Sequence, residues 1–173
     1  MFFGDAALQI ATSGNTFGHN AAKATVGTAA VFWNSARGGT RPFVGGAADP
    51  TETFSSDGPR KIFFHPDGTP ITPGNFLFAT GGGETLVKPE VSAADGVTTH
   101  TPGFMPFFGT SAASPHAASI AALIKQARPD YTNAQIRAAM QATALDIRAP
   151  GIDRDSGYGI TMALEAVQYA LTH

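Results

Sequence analysis

The chain has 173 residues and a formal net charge of −2 at neutral pH, so nucleic acid is not an expected partner. Hydrophobic residues make up 43% of the chain and charged residues only 14%, below the ~25% typical of soluble domains. This predicts one domain with much buried surface, or with a face that another polypeptide covers. The absence of cysteine excludes a disulfide framework and thiolate metal sites.

The first half of the chain predicts strands and loops. Two short apolar segments, 7–11 and 24–32, are typical of parallel strands that are buried on both faces. Residues 38–106 are rich in Gly, Pro and Thr, which predicts loops with short strands. Within them, an apolar segment at 62–64 and Ile71 flank the Asp-Gly turn of residues 65–68, so a β-hairpin is expected there.

Helices are predicted to dominate the last third of the chain. An alanine-rich run, 112–127, carries Pro115 near its start, and proline is tolerated only in the first turn of a helix. The helix should therefore begin within a few residues of Ser111. The overall order of elements fits the C-terminal half of an open α/β sheet.

Two further helices follow that run. Thr132 and Gln135 form a capping box for a helix that extends to about Thr143. Its apolar side is set by Ile136, Ala139 and Met140. A last helix is predicted over 162–171, with its large apolar residues on one side: Leu164, Val167 and Leu171.

Residues 109–116 read Gly-Thr-Ser-Ala-Ala-Ser-Pro-His and place Ser111 where the helix is expected to begin. Unpaired backbone N–H groups and the positive end of the helix dipole converge at such a position, which suits a nucleophile whose product carries negative charge. The segment resembles, nearly residue for residue, the active-site serine motif of subtilisin-like serine proteases, the subtilases. The resemblance implies that Ser111 attacks a peptide carbonyl, with Thr110 as the positioning residue beside it and Gly109 in support.

Further segments match the same family in the same chain order. Residues 11–15 resemble the strand and turn of the oxyanion-hole asparagine, which implies that role for Asn15 and a supporting one for Gly14. Three other turns of the family are similar to residues 54–59, 88–93 and 155–159. Together the matches extend from about residue 8 to the C-terminus. They imply the C-terminal half of a subtilisin-like three-layer domain with a parallel sheet, a Gly/Pro-rich loop and a hairpin insertion, in a single partial domain over 1–173.

A serine nucleophile needs an adjacent base that a third group orients. In subtilases the chain order is Asp, His, Asn, Ser, yet Asp5 is the sole carboxylate before Asn15 and no histidine precedes it. His116 follows Ser111 by five residues, which is roughly 140° around a helix, so its side chain diverges from the serine. The other histidines are expected to be structural or solvated: His19, His65, His100 and His173. The isolated chain is therefore predicted to lack acid and base and to be inactive.

Evidence for cofactors is thin in this sequence. Asp153 and Asp155 alternate before a glycine, as in calcium loops, but no third carboxylate follows at the required offset. A turn is the favoured interpretation, and both remain candidate ligands because related proteases often bind calcium. Residues 81–83 are three glycines without the Gly-Lys-Ser/Thr of a phosphate loop, and we interpret them as a flexible linker.

Three functions stay open at this point. The first is part of a subtilisin-like endopeptidase that acts on peptides or proteins and is completed by the missing N-terminal half of the domain. The second is a subtilase-derived binding module without chemistry, and the third is a fragment of a sedolisin-type serine-carboxyl peptidase. We expect a secreted or extracytoplasmic parent protein, although no signal peptide or membrane-spanning run is found here. An exposed sheet edge near 7–11 would favour a homodimer.

Overall fold

The structure is a computed structural model, which describes residues 14–35 and 43–173. Strand β1 (Thr28–Phe32) pairs in parallel with β4 (Val91–Asp95), and the register joins Ala30 to Ala93. Ala29, Ala30, Val31, Val91 and Ala93 are buried, as predicted for strands covered on both faces. The predicted segment 24–32 thus contains a strand that begins four residues later. Residues 7–11 lie outside the described part.

Three helices pack around this parallel pair. Helix α1 (Thr110–Ala127) contacts both strands, and α2 (Asn133–Ala142) and α3 (Ala163–Thr172) pack against α1 and each other. The predicted helix start near Ser111 and the capping box of Thr132 and Gln135 are both confirmed. The α/β class predicted from the sequence is likewise confirmed by the parallel strands with helices against them.

The hairpin insertion, residues 60–86, lies apart from the parallel strands. Strand β2 (Arg60–Ile62) pairs antiparallel with β3 (Glu84–Leu86). The expected hairpin is present, since the Ile71 N–H donates to the Phe63 carbonyl at 2.9 Å and the His65 N–H donates to the Thr69 carbonyl at 2.9 Å. No helix in the described part of the chain is long and apolar enough to cross a membrane.

Two expectations need correction. Of the three apolar residues predicted to lie on one side of α3, Val167 packs against the core, whereas Leu164 and Leu171 are 64% and 60% exposed. Ala166 and Ala170 are buried instead, because small side chains let α3 approach α1 closely.

The three glycines at 81–83 form a hydrogen-bonded turn and not a flexible linker. Gly83 donates its N–H to the Thr72 hydroxyl at 2.7 Å, and Gly82 accepts from Lys61 Nζ at 2.8 Å. A Cβ on Gly82 would lie 2.4 Å from the Asn75 carbonyl oxygen, so this close approach requires glycine.

Candidate active site

Ser111 is exposed in the first turn of α1, and the two residues after it, Ala112 and Ala113, are buried. Gly109 precedes the helix with φ of 125° and ψ of 159°, a conformation that L side chains rarely adopt. No side chain caps this helix end. The N–H groups of Thr110 and Ser111 therefore have no acceptor within the helix, and in the described residues they remain available to an anion.

The turn before β1 presents Asn15 with an exposed side chain. The Asn15 N–H donates to the carbonyl of Asp57 at 2.9 Å and to its side-chain Oδ1 at 2.8 Å, and Thr16 N–H donates to the same carbonyl at 3.0 Å. Gly14 has a φ of 84°, and a Cβ there would lie 2.3 Å from the Pro59 carbonyl oxygen. The backbone of Asn15 is thus fixed by residues 57–59 while its amide group stays accessible.

The segments that the sequence presents as separate motifs are packed on one another. A Cβ on Gly58 would lie 1.8 Å from the Lys88 carbonyl oxygen, and one on Gly157 would lie 2.3 Å from the Pro89 carbonyl oxygen. The Gly58 N–H also donates to the Arg154 carbonyl at 2.8 Å. Each glycine is needed because two backbones touch, so the motif glycines form a continuous support beneath the Asn15 turn.

A cavity of about 380 Å³ lies between the chain neighbours of the two candidate residues. Thr16, which follows Asn15, and Thr110, which precedes Ser111, both line it. Further lining residues come from the 3₁₀ turn Gly18–Ala21, from residues 27–28 and from residues 54–56: His19, Gly27, Thr28, Phe54 and Ser56. The structure therefore brings the predicted serine and asparagine segments to a common opening.

Asp95 lies beneath the serine turn and was not singled out by the sequence. Its side chain is fully buried, and Oδ2 accepts the Gly109 N–H at 2.8 Å. Burial raises the pKa of this carboxyl above its ordinary value, while the Gly109 hydrogen bond and the charge of His116 act in the opposite direction. Burial and the nearby Asp95 also raise the pKa of Glu52. A carboxylate that ends a strand of small buried residues was the available sequence signal.

No hydrogen bond joins any of the described histidines to Ser111, although His19 lines the same cavity as Thr110. His116 is half-buried, and its Nδ1 lies 2.8 Å from the Ala112 carbonyl oxygen, which requires Nδ1 to donate. His19, His65, His100 and His173 are exposed. His173 stacks on Tyr169 with ring centroids 4.0 Å apart. Asp5 lies outside the described residues.

The two candidate calcium ligands have other partners. Asp153 Oδ1 accepts the N–H groups of Asp155 and Ser156 at 2.7 and 2.8 Å, and Oδ2 accepts the Ser156 hydroxyl at 2.8 Å. Asp155 pairs with Arg148 at 2.9 Å. Within residues 14–35 and 43–173, no group of three or more His or carboxylate side chains is placed to hold a metal ion.

The sequence profile of the Subtilase family matches residues 5–159 of this chain. The chain therefore belongs to the Subtilase family, whose serine motif its residues 109–116 resemble. The match confirms the family resemblance that the sequence motifs indicated.

Individual relatives match shorter stretches. Fervidolysin of Fervidobacterium pennivorans is 31% identical over 103 residues, which is 59% of this chain and 15% of that protein. Alkaline elastase YaB of Bacillus sp. (strain YaB) is 42% identical over 69 residues, 39% of this chain and 17% of the relative. Minor extracellular protease Epr of Bacillus subtilis (strain 168) is 46% identical over 52 residues, 30% of this chain and 8% of the relative.

Among solved structures, the psychrophilic subtilisin-like protease Apa1 from the Antarctic psychrotroph Pseudoalteromonas sp. AS-11 is 41% identical. The match covers 35% of this chain and 14% of that one, with a TM-score of 0.35. The chain thus corresponds to less than a fifth of the length of each of these relatives.

Proposed function

We propose that this chain contributes the nucleophile and the oxyanion donors of a serine endopeptidase. Ser111 attacks the carbonyl carbon of a peptide bond, and the carbonyl oxygen becomes an oxyanion held by the Ser111 N–H and the Asn15 side-chain amide. The observation that carries the proposal is the exposed serine at an uncapped helix start, whose neighbour Thr110 lines a cavity together with Thr16 of the Asn15 turn. Membership of the Subtilase family supports it.

The electrostatics of this arrangement favour the reaction. The first N–H groups of α1 and the positive end of its dipole point to where negative charge develops. The backbone of Asn15 is held at 2.8 and 2.9 Å by Asp57, which fixes the position from which its side-chain amide extends. The adjoining cavity of about 380 Å³ can accept one side chain of a peptide substrate.

The proton acceptor is the part that this chain does not supply. His116 donates to the carbonyl of Ala112, and His19, which lines the cavity, has no carboxylate among the described residues that would orient it as a base. We propose that the acid and the base come from polypeptide outside these 173 residues, in the order Asp then His. Without them the Ser111 hydroxyl remains a weak nucleophile, and the isolated chain does not turn over peptides.

A fluorophosphonate probe tests this assignment. The isolated chain should label slowly or not at all, whereas co-folding with an N-terminal subtilase segment that bears the Asp and His should give rapid labelling that Ser111→Ala abolishes. Rapid labelling of the isolated chain, lost in Ser111→Ala, would show that a base is present within it. A correctly folded complex that stays unlabelled would favour the non-catalytic binding module.

In the active complex, Asn15→Ala should lower kcat by roughly 10²–10³ with little change in KM, a magnitude taken from subtilisin itself. The reason is that the amide binds the oxyanion of the transition state and not the ground-state carbonyl. Steady-state kinetics on a peptide substrate measure both constants. An unchanged kcat would remove Asn15 from the oxyanion site.

We also propose that the intact protein acts outside the cytoplasm. Two of its relatives, Epr and Vpr of Bacillus subtilis (strain 168), are named minor extracellular proteases. The proposed homodimer through the sheet edge near residues 7–11 rests on a segment outside the described residues. Size-exclusion chromatography with light scattering measures the oligomeric state directly.

A further inference from the structure

The start of α1 is anchored in an unusual way. In a typical helix, a Ser, Thr, Asp or Asn at the N-cap accepts the N–H of the second or third helical residue. Here the N-cap is Gly109, so those residues are Ser111 and Ala112. A conventional cap could therefore occupy the Ser111 N–H, which the proposed reaction needs for the oxyanion.

Asp95 provides an oxygen to the same turn from a different element. It is the last residue of β4, its side chain is 0% exposed, and Oδ2 lies 2.8 Å from the Gly109 nitrogen. The hydrogen bond ties the residue before the helix to the parallel strands. The Asp95 carboxyl does not accept the N–H groups of Thr110 and Ser111.

The surroundings of Asp95 favour the uncharged acid. Its Oδ1 is buried without a hydrogen-bond partner among the described residues, and a carboxylate there would lack the donors that a buried charge requires. Glu52, in the segment after the Val31–Thr51 bridge, opposes ionisation of Asp95, whereas a protonated His116 on α1 would favour it. A negative charge directly behind the serine turn would also repel a developing oxyanion.

We propose that Asp95 is a positioning residue that acts as a neutral carboxylic acid, anchoring Gly109 so that the Ser111 hydroxyl and N–H face the substrate. This rests on the proposed function of Ser111. The hydrogen bond replaces a helix cap without occupying the oxyanion donor. Ionisation of Asp95 weakens oxyanion stabilisation, so the acid form is the active one.

Asp49 offers a matched control. It is also 0% exposed, accepts two backbone N–H groups through Oδ2 (Val44 and Gly45, both at 2.7 Å) and has a buried Oδ1 without a partner in the described part of the chain. It anchors a different loop and makes no contact with Gly109. A substitution there has similar structural consequences without touching the serine turn.

The first measurement is the rate of fluorophosphonate labelling in the co-folded complex, per folded molecule and across pH. Asp95→Ala should lower this rate by about tenfold to a hundredfold, because a small misplacement of a reacting group has effects of that order. Asp95→Asn keeps an oxygen for Gly109, so it should restore labelling to within about threefold of the wild type. The Asp95→Asn to wild-type rate ratio should rise with pH, and the corresponding Asp49→Asn ratio should stay flat.

Equal labelling of folded Asp95→Ala and wild type would overturn the anchoring role, and a flat Asp95→Asn ratio would overturn the neutral-acid role. The second measurement needs no activity and therefore stands if the proposed function fails. In NMR spectra of the 173-residue chain, the Gly109 amide shift should titrate with the Asp95 carboxyl in wild type and in Asp49→Asn, but not in Asp95→Asn. A Gly109 amide that ignores the Asp95 titration would refute the hydrogen bond.

Discussion

The parallel strands with their helices and the hairpin insertion are stabilised in different ways. Around α1 the contacts are made by small or branched residues that are almost completely buried, such as Ala113, Ile124 and Val91. In the insertion, Phe64 and Phe76 stack with centroids 5.3 Å apart, although they are 53% and 45% exposed. The first region can therefore hold a reacting group precisely, while the second adds surface that packs mainly on itself.

The largest difference should appear between two lysine–glutamate pairs, a buried one next to β4 and an exposed one that reaches the insertion. Lys88 is 1% exposed, and its Nζ donates to Glu90 and to the Thr25 carbonyl, both at 2.5 Å. Lys88→Met leaves the buried Glu90 carboxylate without its cation, so we expect a loss of about 3–5 kcal/mol in the free energy of unfolding. Chemical denaturation measures it.

Lys23 is the matched control, because its pair with Glu84 in the insertion measures 2.6 Å and the lysine side chain is 63% exposed. Lys23→Met should cost less than about 1 kcal/mol. Adding Glu90→Leu to Lys88→Met should recover much of the loss, since the unpaired charge is then removed. Equal costs at both lysines would contradict the view that buried contacts beside the parallel strands stabilise the fold more than exposed contacts to the insertion.

Local rules of sequence identified most of the secondary structure. The helix start at Ser111 and the capping box of Thr132 depend on residues within four positions, so both could be predicted. The contact of Asp95 with Gly109 spans 14 residues, and the local signal, a carboxylate at the end of a strand of small residues, does not identify Gly109 as its partner. Similarly, the buried side of α3 depends on how closely α1 approaches, which favours Ala166 over the larger Leu164.

The candidate active site shows the same difference between local sequence signals and long-range contacts. Motif resemblance suggested Ser111 and Asn15, but the supports beneath them are contacts between distant backbones. The close approach of Gly58 to the Lys88 carbonyl oxygen is one example. The spacing of residues along the chain does not reveal such a contact. A glycine in the sequence equally indicates a turn when the opposing segment is unknown.

A smaller effect is expected from the pH dependence of stability. Burial raises the pKa of Asp95 above its ordinary 3.8, so the folded state binds this proton more tightly than the unfolded state. The contribution of Asp95 to stability is therefore present at low pH and declines as pH rises from its ordinary value through the raised one. Asp95→Asn should gain stability relative to wild type as pH rises above the ordinary pKa of 3.8, until the raised pKa of Asp95 is passed.

Urea denaturation of both proteins at several pH values measures this difference. Subtracting the wild-type free energies of unfolding from those of Asp95→Asn removes the contributions of the other carboxyl groups. These include Asp67 and Asp130, whose pKa values are lowered by hydrogen bonds from Thr69 and Arg128. A difference that stays constant with pH would mean that Asp95 titrates alike in both states.

The smallest effect should come from the aromatic stack of the insertion. Phe64→Ala removes the contact with Phe76, whose ring plane lies at 15° to its own, and should lower the free energy of unfolding by about 1 kcal/mol. Because the side chain is half exposed, the loss stays well below that of a buried phenylalanine. Leu77→Ala in the same insertion, at a side chain 64% exposed, should change stability by less than about 0.5 kcal/mol.

Neither variant should alter fluorophosphonate labelling of Ser111 in the co-folded complex, since the insertion contributes no residue to the cavity beside the serine. Slower labelling by Phe64→Ala at unchanged stability would show that the two regions are coupled after all.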